Sequence, residues 1–253
     1  MRAAVLFFLP LLALAVPGAA PANRFTVLDE FADIYYPDRH YPKLTTPQWV
    51  GEEGVDAVLV LAIDDMRDHK PYEAYLRPIL ERLKQIDGRA PVSIMSCQID
   101  PAEPHLQTWL AEGVSIEAHT IDHPCPILQK SDFDAAKSTY DRCVDLFSTV
   151  PNSRPVAFRT PCMDGINSAS PRLFAEIMLR ETGQGNYLSI SSSIGLVLTP
   201  NDPENPKALV ADAEGQPRFN KYLLTGYINY IKDYPYPYLI GNKFWEAPFC
   251  VPD

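Results

Sequence analysis

Residues 57–65 read AVLVLAIDD, an apolar run of seven closed by Asp64 and Asp65. A continuous apolar run of this length suits a strand buried on both faces, the habit of parallel sheets. Working outward, the pattern repeats. Pro71 to Gln85 has helical spacing, with Leu76, Ile79, Leu80, Leu83 and Ile86 on one side. Val92 to Met95 reads as a second strand and Glu103 to Glu112 as a helix capped by Gly113. Val114 to Ala118 is a third strand. A long helix is expected over Ser131 to Val150, with Ser131 as N-cap, and a fourth strand over Pro155 to Phe158. Ser170-Pro171 opens a helix reaching about Thr182, with Pro at the favoured first position. Beyond it, Tyr187 to Ser191, Leu196 to Leu198 and Leu239-Ile240 read as strands, 199–218 as a loop and Phe219 to Lys232 as a helix.

Strands alternating with helices imply βαβ units and a parallel sheet. About six units are visible in the 253 residues. Eight would be cramped, so the expectation is an α/β fold built as a distorted or incomplete (β/α) barrel.

Composition narrows the function. The chain holds 22 Lys+Arg against 32 Asp+Glu, a net charge of −10, and no basic run, which argues against a nucleic-acid partner. The N-terminus reads MRAAVLFFLPLLALAVPGAAPAN. Its apolar core, Ala3 to Val16, is short beside the roughly 20 residues of a spanning helix, and small residues follow. Residues 1–22 are therefore expected to be a secretory signal peptide and 23–253 the mature, secreted domain, extracellular or in the cell envelope, with no membrane segment after cleavage. Export makes disulfides possible, and the five cysteines leave at least one unpaired. Cys97, Cys125 and Cys162 all fall just past predicted strand ends, on one rim. That placement admits a Cys125–Cys162 disulfide; buried thiols acting as small hydrophobes are the other reading.

Three polar clusters also sit at strand ends, where parallel α/β folds assemble their sites. They are Asp64-Asp65, His119 to Pro124 (HTIDHP) and Arg159-Thr160-Pro161. Two imidazoles four apart and a carboxylate make a three-ligand set of the catalytic zinc type, with a fourth position left for water. Adjacent strand residues face opposite ways, so the two aspartates should hold separate jobs, one at a metal and one as general base. Alone, Asp64-Asp65 reads as a solvated turn and an HxxxH pair as surface histidines; the three clusters together outweigh that. His40, His69 and His105 have no such context and read as surface or loop residues.

These motifs, in this order and at separations of about 54 and 40 residues, resemble the polysaccharide deacetylase family, the NodB-homology or carbohydrate esterase 4 group. The resemblance spans about residues 57–165, and HTIDHP is its most specific part. It implies a metal-dependent N- or O-deacetylase on a NodB-type barrel, acting on an acetylated oligo- or polysaccharide. Asp64 would be the general base and Asp65, His119 and His123 the metal ligands. Arg159 would pair with Asp64 and orient it, and the Cys162 backbone N–H would serve an oxyanion hole. A divalent ion would be required, with Zn2+ expected and Co2+, Ni2+ or Mn2+ compatible with a His₂Asp set.

The chain departs from the family in two places. Cys162 stands where an aromatic residue is usual, and no histidine follows His123 to act as the late general acid. Asp122, Asp164 and Glu246 are the substitutes in sight. A non-catalytic secreted carbohydrate-binding protein on the same fold is the main alternative, and an amide hydrolase for small molecules a third. Tyr234-Pro235-Tyr236-Pro237-Tyr238 and Trp245 offer aromatic surface for sugar stacking, though a rigid packed loop is the plainer reading.

Overall fold

Strand β1 occupies Leu61–Met66, so the two aspartates lie inside the strand rather than after it. The computed structural model describes residues 53, 59–163, 171–203, 205–219, 230–240 and 244–250. Residues 1–22, expected to be a signal peptide, lie outside them, as do His40 and Asp164. Leu59 and Val60, expected within the strand, are 81% and 79% exposed. The expectation of burial on both faces also fails, because Ala62 and Asp65 are exposed. Among the described residues, β1 ends the sheet order and pairs with β2 alone.

Helix α1 (His69–Asp87) is capped by the Asp68 side chain, which accepts from Lys70 N. Of the five apolar positions read from its spacing, Leu76 and Leu80 are buried and Leu83 half-buried, while Ile79 and Ile86 lie out of the stripe and are exposed. Strand β2 (Val92–Ser96) leads to α2 (Pro104–Glu112), which closes on Gly113 at φ 100°. A Cβ there would meet Ala90 N at 3.3 Å, so both conformation and space require glycine.

Strand β3 (Ser115–Ala118) is followed by α3 (Phe133–Phe147). Its N-cap is Asp132, whose carboxylate accepts from Ala135 N, and not Ser131, which sits in a 3-10 turn at φ 59°. Strand β4 (Ala157–Phe158) precedes a short α4 (Pro171–Leu173) that runs into a π-helical turn, Phe174–Met178, and stops short of Thr182. After β5 (Ile190–Ser191) and β6 (Gly195–Val197), the expected loop contains α5 (Lys207–Val210). The helix expected over Phe219 to Lys232 is overturned at its end, where Tyr230–Lys232 forms β7 paired with β6. Residues 220–229 lie outside those described. A hairpin of β8 (Tyr238–Ile240) and β9 (Phe244–Glu246) completes the order.

Seven strands run β1-β2-β3-β4-β5-β9-β8, parallel except for β8, with β6-β7 as a small second sheet. The fold is thus mixed α/β with a mostly parallel sheet. Helices pack on it around Leu80, Trp109, Tyr140, Phe147, Phe158 and Phe244, each at most 1% exposed. Such burial excludes water from the strand backs and leaves the carboxyl ends as the place where polar side chains can converge. No helix among the described residues is long and apolar enough to cross a membrane.

Candidate active site

The site begins with a break in strand register. Ile63 pairs with Ile94, but the next pairing is Met66 with Ser96, so β1 spends one more residue than β2 over the same span. The extra residue is accommodated by Asp65, which sits in the left-handed region at φ 71°. A bulge of this kind re-aims side chains. Without it, Asp64 and Asp65 would face opposite ways. With it, both reach the same cluster along different routes.

Asp64 meets Arg159, whose Nη1 donates to Asp64 Oδ1 at 2.8 Å. The same guanidinium donates from Nε to Ser192 O at 2.7 Å and from Nη2 to Ser192 Oγ at 2.9 Å. The Arg159 side chain is only 10% exposed, so its charge is fixed in place by three hydrogen bonds. The Asp64 backbone carbonyl in turn accepts from the Tyr72 hydroxyl. Burial pushes that phenol above its usual range, aided by the nearby Asp65 charge, which keeps it a donor.

Asp65 meets the two histidines. Its Oδ1 lies 2.8 Å from His123 Nε2 and 3.3 Å from His119 Nε2. The hydrogen bond with His119, reinforced by the charges of His119, His123 and Arg67, holds the Asp65 carboxyl below its usual range against an opposing desolvation. His119 is anchored on three strands: its N–H donates to Ser96 O, Arg159 N donates to Ala118 O, and its Nδ1 lies 2.8 Å from Arg159 O. A backbone carbonyl can only accept, so Nδ1 carries a proton. That leaves Nε2 as the nitrogen facing the Asp65 carboxylate, at 3.3 Å. Either a proton on Nε2 or a cation between the two groups satisfies that contact. An imidazole oriented through its other nitrogen by a carbonyl, beside a carboxylate and a second imidazole, is the arrangement of a metal-ligating histidine. Asp65, His123 and Cys97 bring three donor atoms within 4.8 Å of one another, which fits a divalent ion, while His119 meets Asp65 without belonging to that group of three.

Four residues in this neighbourhood adopt positive φ: Asp65, Thr120 (68°), His123 (51°) and Cys162 (56°). For Thr120, β-branched and buried, that conformation is costly by about 1–3 kcal/mol. Its surroundings must hold it there, and strain of this kind gathers at functional sites.

Cys125 and Cys162 form a disulfide, Cα–Cα 5.5 Å, as the strand-end placement admitted. It joins the loop carrying His123 to the loop after Arg159. Cys97 and Cys143 are buried thiols and Cys250 is an exposed one. Burial pushes Cys97 up to about 11. Motif reading passed over Cys97, yet its Sγ, an Asp65 oxygen and a His123 nitrogen all lie within 4.8 Å of one another. Its position at the end of β2, next to the end of β1, was the available signal.

The remaining candidates fall elsewhere. Asp122 pairs with Arg142. Glu246 is fully buried in β9, where Oε1 accepts from Ser193 and Ile194 N–H, a structural role. His69 and His105 are not loop residues: His69 opens α1 and His105 is the second residue of α2, they stack at 5.1 Å, and His105 lies 2.9 Å from Glu73. Tyr234 and Tyr238 are buried and pack edge-on at 6.3 Å, the plainer of the two aromatic readings. Beside the cluster, a cavity of about 280 Å³ is lined by Met66, Arg67, His69, Gln98, Asp100 and Glu103. It is walled by residues that follow Asp65 and Cys97 in the chain.

Residues 52–174, just under half of the chain, match the family model of polysaccharide deacetylases. The match covers all three motifs and supports carbohydrate deacetylation in general. No curated protein and no solved structure matches the chain.

Proposed function

From the polysaccharide deacetylase match as premise, we propose that the chain hydrolyses N- or O-linked acetyl groups on a carbohydrate polymer in a metal-dependent reaction. The observation that carries this is the division of labour across the β1 bulge. Asp64 is held by a buried arginine and Asp65 faces two imidazoles, although the two are neighbours in the chain.

Asp65, His119 and His123 would hold the ion. A zinc-class ion bound there polarises the acetyl carbonyl and makes water more acidic. Asp64 takes the proton from the attacking water, and Arg159 keeps that carboxylate in one orientation through its bonds to Ser192. The Cys162 backbone N–H donates to the oxygen that gains charge, and the disulfide fixes the loop that carries it. The leaving amine or alcohol needs a proton, and Asp64, having gained one, is the group in place to return it. The sheet is proposed to curve as the distorted or incomplete NodB barrel. We also propose secretion through residues 1–22, which the disulfide supports, since such bonds persist in oxidising compartments.

A second reading, sugar binding without turnover, is favoured by where two candidate acids go. Asp122 is paired with Arg142 and Glu246 is locked beneath Ser193 and Ile194. Acetate release from acetylated chito- and xylo-oligosaccharides, with Zn2+ or Co2+ added, separates the two. Release that disappears with Asp64→Asn supports the deacetylase. Retention of the oligosaccharides on immobilised protein with no acetate released supports the binding protein.

A further inference from the structure

Cys97 stands outside the three motifs but inside the site. Its backbone N–H donates to Met66 O at 2.9 Å, which seats it directly across from the bulge that turns Asp65. The side chain is completely buried, and its sulfur contacts the His119 carbonyl at 3.9 Å. That is a weak use of a donor. Cys143 makes a similar contact with Ser96 O at 3.8 Å and is equally buried. The two thiols differ in what else they face. Cys97 Sγ belongs to a group with Asp65 and His123 whose three donor atoms lie within 4.8 Å of one another, a group able to close on one cation.

We propose that Cys97 is a ligand, through its thiolate, of a cation it shares with Asp65 and His123. This rests on the metal-site reading above and gives that site a sulfur donor, with a position still open to water. The S–H bond is exchanged for a sulfur–metal bond, the proton passes to solvent, and no electron changes hands. A coordinating thiol is deprotonated by the ion itself. The consequence is selectivity. A soft sulfur donor favours Zn2+ and Co2+ over the harder Mg2+, Ca2+ and Mn2+, which carboxylate and imidazole alone would separate less.

The test uses Co2+ as the probe, added to the full chain carrying Cys250→Ser so that the exposed thiol does not contribute. Stoichiometric cobalt binding with an intense near-ultraviolet sulfur-to-cobalt charge-transfer band is expected. Cys97→Ser in the same background should lose the band and bind cobalt at least about 10-fold more weakly. Cobalt bound without the band, or a band that survives Cys97→Ser, overturns the proposal and leaves the three-ligand site standing. Absence of cobalt binding, with His119→Ala no different from the parent, overturns the metal site and this proposal together. Should Cys97→Ser fail to fold, X-ray absorption of the zinc-loaded parent decides. A sulfur scatterer near about 2.3 Å supports the ligand, and a shell of nitrogen and oxygen alone overturns it.

Discussion

Arg159 Nη1 and Asp64 Oδ1 are 2.8 Å apart, although 95 residues separate them in the chain. The pair closes a circuit. Asp64 lies within β1 near its carboxyl end, Arg159 follows β4, and the guanidinium is pinned to Ser192 just after β5. Three strand ends thus position one carboxylate. Its partner differs from those of Asp65, one residue on, because only Asp65 sits at the bulge.

Asp64→Asn keeps the size of the side chain and an acceptor for Arg159 but removes the base. Acetate release is expected to fall by about 10²–10⁴-fold, the usual worth of general-base catalysis. Bound metal, measured by atomic emission on the same sample, should be unchanged. Loss of metal in step with activity would assign Asp64 to the ligands instead.

His119→Ala should remove metal rather than base. His119 is 2% exposed and bridges Asp65 to the Arg159 carbonyl, so its loss takes a ligand and its support together. Zn2+ affinity is expected to drop by more than about 100-fold, beyond the effect of outer-shell changes. Equal metal content in wild type and variant would sink the ligand assignment.

The Cys125–Cys162 bond spans 37 residues. A loop of that length gives about 4 kcal/mol of stabilisation in the chain-entropy description. Cys125→Ser with Cys162→Ser should lower Tm by roughly 10 °C in a chain of this size. It should also weaken activity, since the bond ties the His123 loop to the loop after Arg159. Iodoacetamide labelling should gain two thiols on reduction of the wild type. An unchanged thiol count and Tm would rule the crosslink out.

Acid should loosen α1. Glu73 accepts from Arg77 Nε at 2.6 Å and from Trp109 Nε1 at 2.8 Å, and lies 2.9 Å from His105 Nε2. The Arg77 hydrogen bond is the largest cause of a carboxyl lowered from 4.5 to about 2. Folded Glu73 binds its proton less readily than unfolded Glu73, so its contribution to stability is complete above pH 4.5 and is lost as pH falls toward 2. At 27% exposure solvent screens the pair, and about 1 kcal/mol is a reasonable size. Urea melts should show Glu73→Gln less stable than wild type at pH 7 and nearly equal at pH 2.5. A gap that persists unchanged at low pH would refute the charge-based account.

Some of this could be read from local pattern. The ends of β1, β3 and β4 were legible because each joins an apolar run to a polar motif, and both are contiguous in sequence. The same locality explains the misses. Ile79 and Ile86 satisfy helical spacing but fall beside the buried stripe, which only the packed neighbour defines. The end of the predicted helix before residue 233 is strand because β6 lies there to pair with it. His69 and His105 looked idle because their partners, Glu103 and Glu73, come from the other helix in each case.

Side-chain chemistry is carried by residue type, so the chain alone disclosed a carboxylate pair, an HxxxH pair and an arginine at the ends of parallel strands. It could not say how two adjacent aspartates come to meet different partners, nor that Cys97 lies beside Asp65 and His123. Those are matters of register. One extra residue between Ile63 and Met66 rotates Asp65 toward the histidines while Asp64 keeps Arg159, and the β1–β2 pairing brings Cys97 alongside. Register is set by hydrogen bonds between strands about 30 residues apart, and no single stretch of sequence contains both partners.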